Sequence, residues 1–307
     1  MNVGLVVDST CDIPFSILDR FNVYILPTEV FLKKDLFIDR RIAEETNTFY
    51  NEVTANSLAN AKSTSCSSAS FIEALTEDLM YKHDHLLVVA PHFKLSDSLQ
   101  NIREALLETQ LEFDRLRKQA HLRNAFKVRI LESQTGYAGY GLVLYETLRL
   151  MSEKARSVDQ LKKPIDEFKQ TVQTLVLPGH QKFNYQMLAN PPFNFNWLTL
   201  KKLKITNTLP TLSVSHDGIQ RQTTLKFQNV ENDFFNMLYD ELTRTNLKNK
   251  LVNLSYAGNL SKLRVLTSFK SLQEHIISKG GKIVYSQMSP TSAAQLGSGA
   301  ITVAYAN

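Results

Sequence analysis

Residues 2–14 read Asn2-Val3-Gly4-Leu5-Val6-Val7-Asp8-Ser9-Thr10-Cys11-Asp12-Ile13-Pro14. The apolar run carries three valines and almost no polarity, the pattern of a strand buried on both faces. It stops at a cluster of short polar residues, which therefore sits at the strand's C-terminal end. In an open α/β sheet that edge is where loops surround a crevice, so the cluster is a ligand loop by position. A purely structural reading stands beside it: Ser9, Thr10 or Asp12 caps the free amides of a helix starting near Pro14, and Asp8 lies too early to do so.

Outward from this strand, the same texture repeats. Val23 to Pro27, Leu86 to Ala90 and Val128 to Ser133 read as strands, and Pro14 to Arg20, Ala43 to Thr54, Leu99 to about Gln119 and the stretch from Gly136 through Ser152 as helices. Thr28 to Asp39 reads as a hairpin, with Phe31 and Phe37 flanking Lys33-Lys34-Asp35. This alternation predicts a parallel sheet with helices on its faces. From Ser157 the texture changes to a helix from Val158 to Thr171 and then spaced strands, Thr174 to Leu177, Leu209 to Ser215, Ile219 to Phe227, Lys250 to Ala257 and Lys282 to Gln287. Turns such as His216-Asp217-Gly218 and Lys279-Gly280-Gly281 separate them. The expected class is α/β: an N-terminal parallel sheet flanked by helices over residues 1–156, plus a C-terminal α+β domain over 157–307.

The 307 residues suffice for two such domains, and 43% hydrophobic residues build ordinary cores. No apolar stretch approaches the roughly 20 residues that span a bilayer, and no secretory signal opens the chain, so a cytoplasmic protein is expected. Two cysteines, Cys11 and Cys66, without a CxxC spacing support neither a disulfide framework nor a zinc ribbon. His83-x-His85 has no carboxylate cluster beside it, so no metal is expected. The net charge of +5 is diluted, since 35 basic residues face 30 acidic ones. Clusters such as Arg115-Leu116-Arg117-Lys118 and Lys201-Lys202-Leu203-Lys204 read as solvated faces; no nucleic-acid partner is expected, while transient membrane contact stays open.

Three further stretches carry chemistry. Ser63-Thr64-Ser65-Cys66-Ser67-Ser68 passes directly into the helical pattern Phe71 to Leu75, so it is a loop and helix start rather than a linker. Hydroxyls beside free helix amides suit a carboxylate, because both donate hydrogen bonds at the positive helix end. Leu95-Ser96-Asp97-Ser98 opens the helix after the strand Leu86 to Ala90, with His92 in the same loop expected to be solvated. Gly136-Tyr137-Ala138-Gly139-Tyr140-Gly141 has the spacing GxxGxG, which is not the dinucleotide fingerprint, and no phosphate-loop motif occurs.

In this order these motifs resemble those of the DegV family, bacterial proteins that bind long-chain fatty acids. Asp8-Ser9-Thr10-x-Asp12-Ile13-Pro14 resembles its opening, Thr64-Ser65-Cys66-Ser67-Ser68 its Thr-Ser-Gln-Pro-Ser segment, and Leu95-Ser96-Asp97-Ser98 its Leu-Ser-Gly-Thr. The resemblance implies a fatty acid such as palmitate or oleate in a buried apolar tunnel, its carboxyl group held by Thr64, Ser65, Ser96 and Ser98, with no catalytic residues and no other cofactor. Asp8, Ser9, Thr10, Gly139, Gly141, Gly297 and Gly299 would form supporting loops. Family members end in His-x-Gly-Pro-Gly; here Gln295 stands at the histidine and Ser298 at the proline, so Gln295 is the expected carboxyl contact, without charge. Asp97 replaces a glycine, and either caps the helix and faces away or displaces the ligand group. The family's Gly-Gly-Arg turn is replaced by Ala189-Asn190-Pro191-Pro192-Phe193-Asn194. A fatty acid kinase subunit is the implied partner, although loss of that turn points to lipid binding without the usual phosphoryl transfer. Two alternatives remain: an α/β enzyme acting on a nucleotide or phosphorylated metabolite at Ser63 to Ser68 and Gly136 to Gly141, and a scaffold that has lost its ligand.

Overall fold

The computed structural model describes residues 2–33, 35–153, 158–181, 185–189 and 193–307. In chain order its strands are β1 (Val3–Asp8), β2 (Tyr24–Leu26), β3 (Thr28–Leu32), β4 (Asp35–Asp39), β5 (Lys62–Thr64), β6 (His85–Ala90) and β7 (Lys127–Glu132). They continue with β8 (Val172–Leu177), β9 (Thr208–Ser215), β10 (Gly218–Lys226), β11 (Leu251–Tyr256), β12 (Lys282–Gln287) and β13 (Ile301–Ala306).

The expected parallel sheet is present, in the order β2-β1-β6-β7. Side chains alternate across a strand, and the sequence uses both faces. Leu5, Val7, Leu87, Val89 and Leu131 pack on one side with the helices Tyr137–Glu153 and Val158–Lys169. Val6, Leu86 and Val88 pack on the other with Phe71, Leu75, Ile102 and Phe113. This is why these strands read as unbroken apolar runs. The helix expected from Leu99 to about Gln119 is two helices, Ser98–Thr109 and Phe113–Gln119.

A second sheet runs β10-β9-β8-β13-β11-β12. The strand β13 was not foreseen: the reading ended its strands at Gln287, yet Ile301–Ala306 inserts antiparallel between β8 and β11 near the middle of this sheet. One face of the sheet packs Leu175, Leu254, Ile301, Val303 and Tyr305 against the helices Val230–Arg244 and Thr267–Ser278. The helix Tyr137–Glu153 lies between the two sheets and contacts β8, β11 and β13. Two of its glycines permit that approach. A Cβ on Gly141 would come within 2.2 Å of the Asp12 carbonyl oxygen, and one on Gly139 within 1.9 Å of Thr174 Oγ1. The boundary expected between residues 156 and 157 falls in the undescribed segment 154–157. The helix beyond it, Val158–Lys169, shares its apolar cluster with β1, β6 and β7.

A small antiparallel sheet, β4-β3-β5, completes the frame. It carries Thr64 to the C-terminal edge of the parallel sheet, where β5 pairs with β3 through Glu29 and Thr64.

Candidate functional site

At that edge lies a cavity of about 1210 Å³. Its walls come from the β3–β4 hairpin, the segment Ala59 to Ser70, the loop Phe93 to Asp97 and the helix Pro290–Leu296. Thr64, Ser65, Ser96 and Gln295, separated widely in sequence, all line it. Local chemistry sets each segment. Ser67 caps the helix Ser68–Ala74 by accepting from Ser70 N at 3.0 Å, and Ser289 caps Pro290–Leu296 by accepting from Ser292 N at 2.9 Å. Pro290 occupies the first turn of that helix, where a missing N–H costs nothing.

The hydroxyls form a directed chain. Ser65 Oγ lies 2.9 Å from Ser96 Oγ, and Ser96 Oγ donates to Ser98 Oγ at 2.9 Å. Ser65 Oγ also accepts from Asp97 N at 2.9 Å, and Ser96 Oγ from Ser98 N at 3.2 Å. Ser98 is fully buried, so it stands behind the cavity wall rather than in it. Gln295 Oε1 accepts from the Tyr137 hydroxyl at 3.2 Å, which leaves the Gln295 amide N–H groups as donors.

Asp97 makes no capping bond and lines the cavity, so the arrangement in which it caps the helix and turns away is not the one adopted. Its charge has company: Arg40, Lys62 and Lys94 line the same cavity, as does Glu29. His92, expected to be solvated, is 1% exposed. Its Nδ1 accepts from Lys94 N at 3.0 Å, which makes Nε2 the protonated nitrogen, donating to the His216 carbonyl at 3.1 Å. Lys94 Nζ donates to the Asp217 carbonyl at 3.0 Å, so the β9–β10 turn is tied to this loop at two points. The Lys94 ammonium was not foreseen, although its position between Phe93 and Leu95 in the motif loop is a signal that marks it.

The opening cluster lies below the cavity. Asp8 Oδ1 accepts from Thr10 N at 3.0 Å and from Thr10 Oγ1 at 2.5 Å. Ser9 Oγ lies 2.5 Å from Thr28 Oγ1, itself 2.5 Å from Thr291 Oγ1. Asp12 does not cap the helix Phe15–Arg20, whose start has no side-chain cap. It reaches across to the second sheet: Oδ1 accepts from Ser289 N at 2.7 Å and Oδ2 from Ser255 Oγ at 2.9 Å. Arg41, 5% exposed, has Nη1 3.8 Å from Asp12 Oδ1, and Asp39 Oδ1 accepts from Arg41 N at 3.1 Å. Burial pushes the Asp12 carboxyl up to about 6 against the pull of Arg41, and burial likewise raises Asp8 and Asp39.

Gly297 and Gly299 lie away from the hydroxyls, against the segment after β8. Gly179 backs directly onto Gly297, and a Cβ on Gly299 would meet the His180 ring at 2.8 Å; both C-terminal glycines have positive φ, 90° and 81°. Ser298 Oγ donates to Gln181 Oε1 at 3.1 Å. Both cysteines are buried free thiols, and burial pushes Cys66 up to about 12. Of the segment standing where a Gly-Gly-Arg turn was expected, Asn190, Pro191 and Pro192 lie outside the described residues. Among the described residues, no helix is long and apolar enough to cross a membrane.

A two-sheet α/β protein with a hydroxyl-lined cavity at the edge of its parallel sheet is the class these features define. The family model described as "Uncharacterised protein, DegV family" matches residues 2–180, and the chain belongs to the DegV family. It is 23% identical to a DegV domain-containing protein of Xanthomonas axonopodis pv. citri, over 100% of this chain and 98% of that one. Its fold is similar to that of a DegV lipid-binding protein from Thermotoga maritima, with a TM-score of 0.75 at 18% identity, covering 100% of this chain and 98% of the other. The B3 protein of the Streptococcus pneumoniae fatty acid kinase, solved loaded with linoleic acid, is similar with a TM-score of 0.69 at 14% identity, over 100% and 99% of the two chains.

Proposed function

We propose that this protein binds a long-chain fatty acid, such as palmitate or oleate, with the carboxyl group among Thr64, Ser65, Ser96 and Gln295. The observation that carries this reading is the convergence of those four side chains, from three distant segments, on one cavity. Apolar residues back it: Leu95 and Ala294 line it and join the cluster of Val30, Leu58, Tyr137, Met288, Ala293 and Leu296. The tail's path runs through this cluster. Burying about fourteen methylenes at roughly 0.8 kcal/mol each gives about 11 kcal/mol before the cost of immobilisation. The tail then supplies most of the affinity, and hydroxyl and amide contacts set the head group's position.

The role is binding, for lipid transport or presentation to a fatty acid kinase. Fold likeness to a fatty acid kinase B protein supports the second use. Exchange with a membrane fits the helix Trp197–Thr206, in which Leu200 and Leu203 pack inward on the same apolar cluster. Its outer face leaves Trp197, Leu198 and Ile205 exposed beside Lys201, Lys202 and Lys204, the composition that settles on an anionic lipid surface.

Arg40, Lys62 and Lys94 favour a second reading, a phosphorylated metabolite in the same cavity. Asp97 and Glu29 on the same walls weigh against a multiply charged anion. Organic extraction of the denatured protein followed by mass spectrometry decides between them. A stoichiometric fatty acid supports the first; clean extracts without uptake of added oleate, with thermal protection by phosphate, support the second.

A further inference from the structure

The cavity hydroxyls point their protons the wrong way for a carboxylate. Ser96 spends its one hydroxyl proton on Ser98, so the Ser65 hydroxyl is the donor to Ser96. The Ser98 hydroxyl, having accepted from Ser96, has its own proton left for the group behind it, the carboxyl of Asp8. Protons therefore run inward, from Ser65 through Ser96 and Ser98 to an ionised Asp8. The oxygens of Ser65 and Ser96 that face the cavity are acceptors in this state, and a bound carboxylate is an acceptor as well.

Asp8 is built to change this. It is 1% exposed, and its Oδ2 is enclosed without a hydrogen-bond partner, while Oδ1 takes both bonds from Thr10. No lysine, arginine or histidine forms an ion pair with it among the described residues. The titratable groups that sense its charge are Cys11, on its own loop, Cys66, before the helix Ser68–Ala74, and Tyr140, on the helix Tyr137–Glu153. All three are neutral when protonated, and burial holds each of them in that form. A buried carboxylate with a free oxygen and no cation is an unstable place for a charge and a ready place for a proton.

Resting on the fatty-acid reading above, we propose that Asp8 is a positioning residue that takes up a proton when a carboxylate binds. Protonated Asp8 donates from Oδ2 to Ser98, the chain turns round through Ser96 to Ser65, and the Ser65 hydroxyl then donates to the head group. One proton enters from solvent for each carboxylate bound, no bond other than O–H is made or broken, and the site gains no net charge. Binding of a fatty-acid anion without a cation at the histidine position, where Gln295 stands, follows from this balance.

Calorimetry of oleate binding in buffers of differing ionisation enthalpy, at about pH 7.5, counts the protons taken up. The expected result is uptake of a fraction of a proton, up to one, per oleate by the native chain. Asp8→Asn keeps the bonds from Thr10 and supplies a permanent donor to Ser98, so it should bind oleate with no proton uptake and little dependence on pH. Ser98→Ala, which cuts the chain, should also abolish uptake. Oleate binding by the native chain without proton uptake, or equal uptake by native and Asp8→Asn proteins, overturns the inference and leaves the fatty-acid reading standing. Absence of any oleate binding sinks that reading and this one together. A merely structural Asp8 would alter stability and leave the proton count unchanged.

Discussion

Asp12 Oδ1 accepts a hydrogen bond from the Ser289 backbone N–H at 2.7 Å, across 277 positions of sequence. The same carboxyl takes Ser255 Oγ at 2.9 Å and faces Arg41, whose Nη2 donates to the Ile13 carbonyl at 3.0 Å and whose Nη1 donates to the Gln287 carbonyl at 3.2 Å. Asp39 joins through Arg41 N and, on its other oxygen, through Thr291 N at 3.1 Å. One buried polar cluster thus holds the opening loop, the β3–β4 hairpin and the C-terminal helix together beneath the cavity. Such clusters are costly when broken, because each partner left behind is desolvated and unpaired.

Acidity should act through this cluster. The folded-state Asp12 carboxyl is raised to about 6, chiefly by burial, from an ordinary 3.8, so the folded chain binds its proton more tightly than the unfolded one. Its contribution to stability is present below about pH 4 and lost as pH rises through about 6, by about 3 kcal/mol. Asp8 and Asp39 shift in the same direction. Urea denaturation of the native chain and of Asp12→Asn across this window checks it: the stability difference between them should change with pH and level off above about pH 7. A constant difference would refute the assignment.

Close packing of the central helix gives a steric prediction. The Asp12 carbonyl oxygen, 2.2 Å from a Cβ on Gly141, is backbone and has nowhere to go, with Asn253 Nδ2 at 2.8 Å on the same side. Gly141→Ala should destabilise the protein by about 3 kcal/mol, at the upper end of the cost of overpacking, despite its better helix propensity. An unchanged denaturation midpoint would show that the helix can move off the second sheet.

Removing the cavity hydroxyls should separate binding from folding. Thr64 is exposed and Ser96 half-buried, so Thr64→Ala with Ser96→Ala should leave the fold intact. Hydrogen bonds to a charged group contribute about 1.5–3 kcal/mol each, so oleate affinity should fall by about tenfold or more per hydroxyl lost. Fluorescent fatty-acid displacement measures this, and unchanged affinity would remove both residues from the site.

The lipid-facing helix can be tested on vesicles. Trp197→Ala with Leu198→Ala removes two exposed apolar side chains, at 67% and 61% exposure, without touching Leu200 or Leu203. Sedimentation with phosphatidylglycerol-rich vesicles should show weaker association than the native chain, and the native chain should lose association as salt rises. Binding that is indifferent to both changes would place membrane contact elsewhere.

Much of the scaffold was legible locally. The runs at Val3–Asp8 and His85–Ala90 announce strands buried on two faces because every residue in them meets a core. The hydroxyls of Thr64, Ser65 and Ser96 were legible as a site by motif order, and they line one cavity. Lys94 was passed over because a lone loop cation has no local pattern. His92 was misjudged for the same reason, since its burial comes from the β9–β10 turn closing over it, with His216 lying 124 positions away. Asp12 looked like a helix cap because a short acid before Pro14 is locally consistent with one.

By itself the sequence determined which segments are strands and helices over most of the chain, and the order of the motifs, because periodicity and turn chemistry act over a few residues. Only the tertiary structure decided where β13 goes. Ile301–Ala306 is apolar enough for a strand, yet its place between β8 and β11 depends on partners 47 to 130 positions back, as in the pairs Thr302–Ser255 and Val303–Leu175. It also decided that Asp12 meets Ser289, that the glycine helix lies between two sheets, and that the hydroxyls run in a chain toward Asp8. Those contacts are set by how elements stack, and no local period in the chain records them.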